Sequence, residues 1–322
     1  VGCYPNDPET LTAVRQAMED DDRILLALNT RPGPTTKADC LNQAWRALCN
    51  YERETGAPFH TVILHDAEDM IHASEPRLFN HFMTHYDFVQ IPVLPLQDQQ
   101  SHWIAGHYCD EFAEAHAKVL VVRAALGAGI PAAGVGCAFS RPLLQTFSDK
   151  YGGTPFRPEC LTEDYELGLQ SKAIGAKGAL VRIAEQPGGP VISVRSHFPA
   201  TIETAVRQKA RWMAGIALSG WDNLGWGGTL IEVWMRMRDR RAMFAALILC
   251  AAYLTLVMVS IRVLAGLAMP IKPLVLPPWL SVLLFVSQAL LLWRLFVRAC
   301  FVKVAYGWTE AARSIPRTII CN

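Results

Sequence analysis

AMFAALILCAAYLTLVMVSI, at residues 242–261, and LVLPPWLSVLLFVSQALLLW, at residues 274–293, are two runs of twenty residues without a charged side chain. A helix of about twenty residues is ~30 Å long, which matches the hydrocarbon thickness of a bilayer. The connection between the runs is short and contains Pro270 and Pro273. The sequence therefore predicts a two-helix transmembrane hairpin, and a hairpin buried in a protein core is the alternative interpretation.

Basic residues are more frequent on the outer flanks of these runs than between them. The flanks contain Arg236, Arg238, Arg240, Arg241, Arg294, Arg298 and Lys303, and the connection contains Arg262 and Lys272. Because basic loops tend to stay on the cytoplasmic side of a membrane, this bias predicts a multi-pass membrane protein with residues 1–241 in the cytoplasm.

The composition excludes several classes of function. Of the 322 residues 51% are hydrophobic, and the formal net charge is +1, so the charge balance does not predict binding to nucleic acid. The nine cysteines are scattered without a C-x-x-C pair, which indicates reduced thiols rather than a zinc site. Because the chain starts at Val1 without a methionine, we expect an excerpt that lacks both ends of a longer protein.

Short apolar runs alternate with helical patterns in the first two hundred residues. The runs are RILLALN (23–29), TVILH (61–65), FVQIPVLPL (88–96) and ALVRIAE (179–185). Between the first two runs, Leu41, Trp45 and Leu48 share one face of a helical pattern that stops at Gly56. Strands alternating with helices predict an α/β domain with a mostly parallel sheet and flanking helices.

The chain is thereby divided into four regions. They are an α/β domain at residues 1–200, interfacial helices at 201–241, the transmembrane hairpin at 242–301 and a cytoplasmic tail at 302–322.

Three carboxylates follow the predicted strand TVILH in the stretch VILHDAEDMI, namely Asp66, Glu68 and Asp69. In an open parallel sheet, ligands bind beyond the carboxyl ends of the strands. Carboxylate oxygens suit Mg²⁺ or Mn²⁺ bridging a diphosphate. The alternative is a solvated acidic turn that caps the next helix.

The stretch CLTEDYELGL has the pattern of a helix start. Thr162 fits an N-cap, and Glu163 and Asp164 fall in the first turn, where carboxylates suit the helix dipole. An ordinary capped helix explains this pattern completely. The functional interpretation makes Asp164 a general base that accepts a proton from a hydroxyl group.

Two further stretches could bind an anion. In QKARW, at residues 208–212, Gln208, Arg211 and Trp212 share one helical face, where the guanidinium suits a diphosphate and the indole suits a sugar ring. An interfacial membrane helix is the alternative, but it does not explain Gln208. In GPTTKADCLN, a helix N-terminus and Lys37 offer donors to an anion.

The order of these motifs resembles the membrane-bound family 2 glycosyltransferases, the group that contains cellulose, chitin and hyaluronan synthases. Their pattern is D, D-x-D, T/E-D and Q/R-x-x-R-W, followed by membrane spans, and the resemblance covers residues 1 to about 300. It implies a GT-A-like fold for residues 1–200. VGCYPNDPET and QKARWMAGIALSGW are also similar to one subgroup of bacterial inner-membrane enzymes, the bacteriophage adsorption protein B type.

The resemblance assigns roles to individual residues around a metal and an acceptor. Asp66 matches the first acidic residue of D-x-D, whereas Glu68 departs from the second and Asp69 follows it, so either of them is expected to complete the metal site. Asp164 matches the catalytic base, with Glu163 beside the acceptor.

The same resemblance assigns the donor site. Gln208 and Arg211 match residues around the diphosphate, and Trp212 matches the tryptophan that holds the acceptor. Lys37 matches the basic residue of a K-A-x-x-L-N segment beside the nucleotide, and Asp7 falls where the family's second strand supplies a nucleotide contact. The family's first strand is absent, which leaves the nucleotide site incomplete in the chain as given.

The implied reaction is inverting, metal-dependent transfer from a nucleotide-diphospho-sugar, of the uridine type, to a growing polysaccharide at the cytoplasmic face of the inner membrane. Secretion of the polymer, an outer-membrane export partner and control by cyclic di-GMP through a domain not present here are further expectations. Two alternatives stay open: non-processive transfer to a lipid or glycan, and a membrane receptor or scaffold that has lost catalysis.

Overall fold

The computed structural model describes residues 1–269 and 276–320, so Pro270 and Pro273 of the predicted connection lie outside the described residues. Six strands occur in the described part of the chain. They are β1 (Gly2–Cys3), β2 (Ala27–Leu28), β3 (Thr61–Leu64), β4 (Phe88–Gln90), β5 (Cys137–Ser140) and β6 (Gly178–Leu180). All four predicted strands are present, and β1 and β5 are additional.

Helices surround the strands and then continue alone. They are α1 (Pro8–Asp20), α2 (Lys37–Thr55), α3 (Glu75–Phe82), α4 (Ile104–Glu114), α5 (Leu120–Ala125), α6 (Arg141–Lys150), α7 (Glu163–Ala173), α8 (Ile202–Met213), α9 (Gly220–Leu224), α10 (Leu230–Ala268), α11 (Pro278–Tyr306) and α12 (Trp308–Ile320). Single π-helical segments join α4 to α5 at Ala115–Val119 and α8 to α9 at Ala214–Ser219.

The direction of one strand differs from the expected mostly parallel sheet. β1 and β2 pair in parallel, and the larger sheet has the order β3-β5-β4-β6. In it β4 and β6 are parallel, but β5 runs antiparallel to both β3 and β4, so this sheet is mixed. The sequence did not reveal β5 because its four residues, CAFS, are all buried and show no alternation of polar and apolar side chains. The α/β fold itself, followed by two apolar helices, is confirmed.

Helices cover both faces of the larger sheet. Because successive side chains of a strand point to opposite faces, Phe88 joins one core and Val89 the other. The first core contains Trp45 of α2, and Phe139 of β5 stacks on Phe88 at 4.8 Å between ring centroids. The second contains Phe79 of α3. The sheet therefore lies between two helical layers, with α2 over the face that leads to the site described below.

The two apolar helices have the properties of membrane spans. The most apolar segments of α10 and α11 have mean hydropathies of 2.5 and 2.0, and no residue of these segments is buried in the part of the chain described. Leu247 and Phe285, for example, are 67% and 72% exposed. A hairpin buried in a protein core is therefore excluded, since a core would cover these side chains.

The first span is a continuation of a helix that is already bound to the α/β domain. Near the start of α10, Glu232 accepts a hydrogen bond of 2.7 Å from the amide of Gly129. Further along α10, Asp239 accepts hydrogen bonds from the Arg123 guanidinium at 2.8 Å and from the Tyr165 hydroxyl at 2.7 Å. Because Tyr165 lies in α7, the membrane helix is joined to the helix that begins with the predicted base.

The second span returns to the same domain. Arg298 of α11 pairs with Glu114 at 3.1 Å, and the Tyr306 hydroxyl donates to the carbonyl of Pro95 at 2.8 Å. α12 then packs against α4, where the fully buried Arg317 pairs with Asp110 at 3.1 Å. Both ends of the hairpin that face the α/β domain are thus attached to it. The region predicted as a tail contains α12, a helix that packs on α4.

Replacement of Asp239 by asparagine tests the attachment of α10. Asp239→Asn is expected to lower the free energy of unfolding by about 3 kcal/mol, because the guanidinium of Arg123, only 2% exposed, loses its anionic partner. Denaturant unfolding in detergent micelles, followed by circular dichroism, measures this change. The control is Glu203→Gln, which removes an ion pair with Arg207 whose side chains are 81% and 77% exposed and should leave stability nearly unchanged. Equal effects of the two substitutions would contradict the expectation.

Candidate active site

A cleft of about 660 Å³ opens where β3, the N-terminus of α2, the N-terminus of α7 and α8 meet. The structure brings nearly all the predicted site residues together there. Its lining includes Lys37, Asp66, Glu68, Asp69, Glu163, Asp164, Gln208, Arg211 and Trp212. These side chains come from four separate stretches of sequence, so their convergence is a property of the fold and not of any single motif.

Asp7 is the predicted site residue that the structure leaves outside this cleft. Its carboxylate caps α1 by accepting bonds from the amide of Thr10 at 3.1 Å and from the Thr10 hydroxyl at 2.7 Å. These two bonds hold the pKa of Asp7 below its usual range. The geometry assigns Asp7 a capping role, and its predicted contact with a nucleotide has no support here.

Lys37 and Asp66 form the central ion pair of the cleft. The Lys37 ammonium lies 2.5 Å from Asp66 Oδ1 and donates to the carbonyl of Gly134 at 3.3 Å. Burial opposes the charge of Lys37, but the carboxylates of Asp66, Asp164 and Glu163 together outweigh it and raise the pKa of the ammonium. Lys37 is therefore a permanent cation at the first turn of α2, where the helix dipole also favours an anion.

Asp69 and Glu68 differ in what their carboxylates can reach. Asp69 Oδ2 accepts the amide hydrogen of Asp66 at 2.9 Å and lies 3.2 Å from His65 Nδ1, and the Asp69 side chain is only 1% exposed. The other ring nitrogen of His65 lies 2.6 Å from Glu75. Burial disfavours the imidazolium, but hydrogen bonds to Asp69 and Glu75 outweigh it and raise the pKa of His65 to about 9. Glu68 is exposed on the cleft wall, so the geometry favours Glu68 as the partner of Asp66.

The donor set fits a hard divalent cation held jointly with substrate oxygens. Within residues 1–269 and 276–320, no group of three or more His, Cys, Asp or Glu side chains has the arrangement of a complete metal site. Mg²⁺ is commonly bound through one or two carboxylates with substrate phosphates completing the coordination shell. Asp66 and Glu68, which lie on the cleft wall with only Ala67 between them in the sequence, are such a pair.

The start of α7 places two carboxylates side by side. Asp164 Oδ1 accepts the amide hydrogen of Tyr165 at 2.7 Å, and its other oxygen lies against Gly134. Burial raises the pKa of Asp164, opposed by the charge of Lys37. Burial and then the neighbouring Asp164 charge raise the pKa of Glu163 to about 7, against the opposing charges of Lys37 and Arg211. A carboxylate in such surroundings is a stronger base than one in water.

Thr162 occupies the N-cap position of α7, as the sequence predicts, but its hydroxyl does not cap the helix. The Thr162 side chain instead packs directly on Gly215 in the π-helical segment that follows α8, where a β-carbon would collide with it. The Thr162 hydroxyl oxygen is buried on the cleft wall and has no hydrogen-bond partner within the described residues. The base-bearing helix and the QKARW helix therefore meet at this contact.

The QKARW helix directs its members to different sides. Gln208 and Arg211 face the cleft, and Arg211 has no ion pair within the described chain, which leaves its guanidinium open to an anionic ligand. Lys209 points to the other side and pairs with Glu111 of α4. The interfacial interpretation of α8 stays a prediction, and Ile202 of this helix is 69% exposed.

An aromatic cluster forms the end of the cleft next to Trp212. The ring of Phe112 lies 6.2 Å from Trp212 and 4.8 Å from Phe198, and Tyr108 contacts Trp212 edge-on at 6.1 Å. Phe112 and Phe198 line the cleft, and sequence reasoning missed both because they are single aromatics outside any motif. Such a surface suits the apolar face of a sugar ring.

Gln90 is a further residue that sequence reasoning missed. It is fully buried in β4, donates to the carbonyls of Val135 and Gly136 at 3.0 Å each, and accepts from the amide of Ala133 at 2.8 Å. These bonds shape the loop that presents Gly134 to Asp164. A signal existed in the sequence, since Gln90 is the polar residue within the apolar run FVQIPVLPL.

Comparisons with known proteins agree with this arrangement. The family model described as glycosyl transferase family group 2 matches residues 61–297. The chain is 34% identical over 337 residues to bacteriophage adsorption protein B of Escherichia coli strain K12, covering 98% of this chain and 45% of that protein. Bacteriophage N4 adsorption protein B of Escherichia coli O157:H7 matches with the same values. The chain thus spans about half the length of the curated relatives it matches, and the resemblance inferred from the motifs is confirmed.

A pair of glycine substitutions tests the contact between Gly134 and Asp164. Gly134 and Gly127 both have left-handed backbones, with φ of +77° and +69°. A β-carbon at Gly134 would collide with the Asp164 carboxylate, whereas at Gly127 it would meet nothing within 4 Å. Both alanine variants carry the backbone strain, so Gly134→Ala is expected to lose about 1–3 kcal/mol more stability than Gly127→Ala. Denaturant unfolding measures the difference, and equal losses would contradict the close approach.

Proposed function

The chain belongs to the family 2 glycosyltransferases, and from this premise we propose that it transfers a hexose from a nucleotide-diphospho-sugar, of the uridine type, to a growing polysaccharide with inversion at the anomeric carbon. The observation that carries the proposal is the convergence of Lys37, Asp164 and the Gln208–Trp212 face on one cleft. Cations for a diphosphate, a buried base and an aromatic surface for a sugar are the parts that this reaction requires.

The proton transfer is assigned to Asp164. It accepts the proton of the acceptor hydroxyl while that oxygen bonds to the anomeric carbon and the bond to the diphosphate breaks, with its electron pair leaving on the diphosphate. A single displacement requires one base and inverts the configuration. The raised pKa of Asp164 supports this role, because a stronger base accepts the proton more readily.

Stabilisation of the diphosphate leaving group is assigned to the cationic side of the cleft. Lys37 and Arg211 are positioned to stabilise negative charge on the diphosphate as the glycosidic bond breaks. A Mg²⁺ or Mn²⁺ ion held by Asp66 and Glu68 would supply further charge stabilisation there. Trp212, supported by Phe112 and Phe198, provides the surface for the acceptor sugar.

The membrane hairpin supports a proposal about where the reaction occurs. The basic flanks favour a cytoplasmic α/β domain at the inner membrane, and both ends of the hairpin are attached to that domain. We therefore assign polymer synthesis to the cytoplasmic face, followed by secretion of the polymer. An outer-membrane export partner and control by cyclic di-GMP are proposals for the longer protein, since the relatives extend well beyond the matched region.

A panel of sugar nucleotides tests this function directly. Membranes containing the full-length protein are incubated with each nucleotide sugar, with Mg²⁺, with Mn²⁺ or with a chelator, and free nucleotide is measured. We expect release from at least one uridine-diphosphate sugar, only when a divalent cation is present. Release from no donor, with cyclic di-GMP supplied, would contradict the proposal and favour a binding role.

Replacement of the base tests the mechanism. Asp164→Asn is expected to lower kcat by about 10²–10⁴-fold, because the amide cannot accept the proton of the acceptor. The measurement is the initial rate of nucleotide release at saturating donor. Asp149→Asn is the matched control, since Asp149 lies on α6 outside the cleft and bonds only Gln145 among its described contacts. A wild-type rate in Asp164→Asn would show that another group removes the proton.

The acidic pair also predicts a pH dependence. Both carboxyl groups have raised pKa values, and that of Glu163 is about 7, so the pair takes up a proton as the pH falls through this range. A general base works only when deprotonated, so kcat/KM is expected to decrease as the pH falls below about 7. Glu163→Gln should move this decrease to lower pH, because it removes one of two repelling charges. A profile of Glu163→Gln that coincides with the wild-type profile would contradict the coupling.

A further inference from the structure

A chain of three side chains lies directly behind the acidic turn and has no place in the mechanism above. It runs from Glu75 at the start of α3, through His65 at the end of β3, to Asp69 in the turn itself. The two contacts of the ring are 2.6 Å to Glu75 Oε1 and 3.2 Å to Asp69 Oδ2. The Asp69 oxygen continues the chain by accepting the amide hydrogen of Asp66 at 2.9 Å.

We propose that Glu75, His65 and Asp69 form a positioning clamp that holds the backbone of the acidic turn so that Asp66 and Glu68 both face the bound diphosphate and its cation. This inference rests on the proposed function. None of the three is proposed to contact the donor. Their effect is on where the two neighbouring carboxylates point.

Burial supports a positioning role rather than a ligand role. The side chains of Asp69 and Glu75 are 1% and 2% exposed, and that of His65 is 17% exposed. Asp69 lines the cleft wall, but its Oδ2 oxygen is already engaged by the ring and by the amide of Asp66. The two buried carboxylates repel each other, and the His65 ring between them is the polar partner of both, so the arrangement depends on the ring staying in place.

The clamp acts on Asp66 through the backbone. The amide of Asp66 donates to Asp69 Oδ2, and the amide of Asp69 donates back to the carbonyl of Asp66 at 3.1 Å, which closes the turn. Beyond the turn, Met70 exchanges backbone hydrogen bonds of 2.7 and 3.2 Å with Arg195. With the turn fixed on both sides, the Asp66 side chain is held beside Lys37 and that of Glu68 remains on the open wall.

The clamp also accounts for the departure of this turn from D-x-D. The sequence HDAED offers Glu68 and Asp69 as rival partners for Asp66. Because the clamp engages Asp69, the longer Glu68 side chain is left as the partner that can reach a cation from an exposed position. Residues behind metal ligands commonly change metal affinity by about 10–100-fold when they are substituted.

The test compares nucleotide affinity with and without metal. The full chain in detergent micelles is titrated calorimetrically with uridine diphosphate, in Mn²⁺ and in chelator. Glu75→Gln and Asp69→Asn are each expected to weaken binding in Mn²⁺ by about tenfold or more. Binding in chelator should not change, because Lys37 and Arg211 remain in place. His60→Gln, at the exposed opposite end of β3, is the matched control and should match the wild type in both conditions.

Each alternative outcome has a distinct meaning. Wild-type affinity in both variants overturns the clamp. Equal weakening of binding in Mn²⁺ and in chelator indicates a general folding defect and overturns it too. A large effect of Asp69→Asn with none of Glu75→Gln makes Asp69 a direct ligand and also overturns it. If the wild-type chain binds uridine diphosphate equally well in Mn²⁺ and in chelator, the metal dependence of the proposed function is contradicted. The clamp proposal, which rests on that metal, is then overturned as well.

Discussion

Burial of several carboxylates in one cavity is the constraint on which the cleft depends. Asp66, Glu163 and Asp164 share one cavity. Burial and then the Asp164 charge raise the pKa of Glu163, and burial and then the Asp66 charge raise that of Asp164. Lys37 is the cation placed among them: it pairs with Asp66 at 2.5 Å and its charge opposes the rise in the pKa values of both Glu163 and Asp164. The remaining excess of negative charge favours ligands that bring a divalent cation, and the raised pKa of Asp164 follows first from its burial and then from the neighbouring Asp66 charge.

Attachment to the membrane helices positions the opposite wall of the cleft. α4 contacts α8 through Glu111 and Lys209 on one side and contacts α11 and α12 on the other, through Glu114 with Arg298 and through Asp110. α4 also carries the Phe112 ring of the aromatic cluster. The surface proposed for the acceptor sugar is therefore built partly on a helix that the membrane hairpin helps to hold.

Sequence patterns predicted the residues of the site better than they predicted the sheet. Lys37, Asp164 and the QKARW face were identifiable because their chemistry is concentrated in short stretches with helical spacing. β5 was not, since a fully buried four-residue strand has neither the alternation nor the length that distinguishes strands. Phe198 was missed for a different reason: it acts through contacts with distant segments, which spacing along the chain does not encode. Gln90 stood out as the polar residue of an apolar run, but the loop that it bonds could not be read from spacing.

The arginines that precede the first span have two physical roles. Arg236 and Arg240 were counted as cytoplasmic charges, yet both are buried and donate to backbone carbonyls near the end of α9, including that of Gly225. The Arg240 guanidinium also lies 4.2 Å from the ring centroid of Trp226. These contacts hold the start of α10 against α9 and the residues that follow it, whatever the charge bias. The membrane orientation of α10 and its packing on α9 therefore depend on the same residues. The arginines that would keep this end of the helix out of the bilayer also bind it to the segment that follows QKARW.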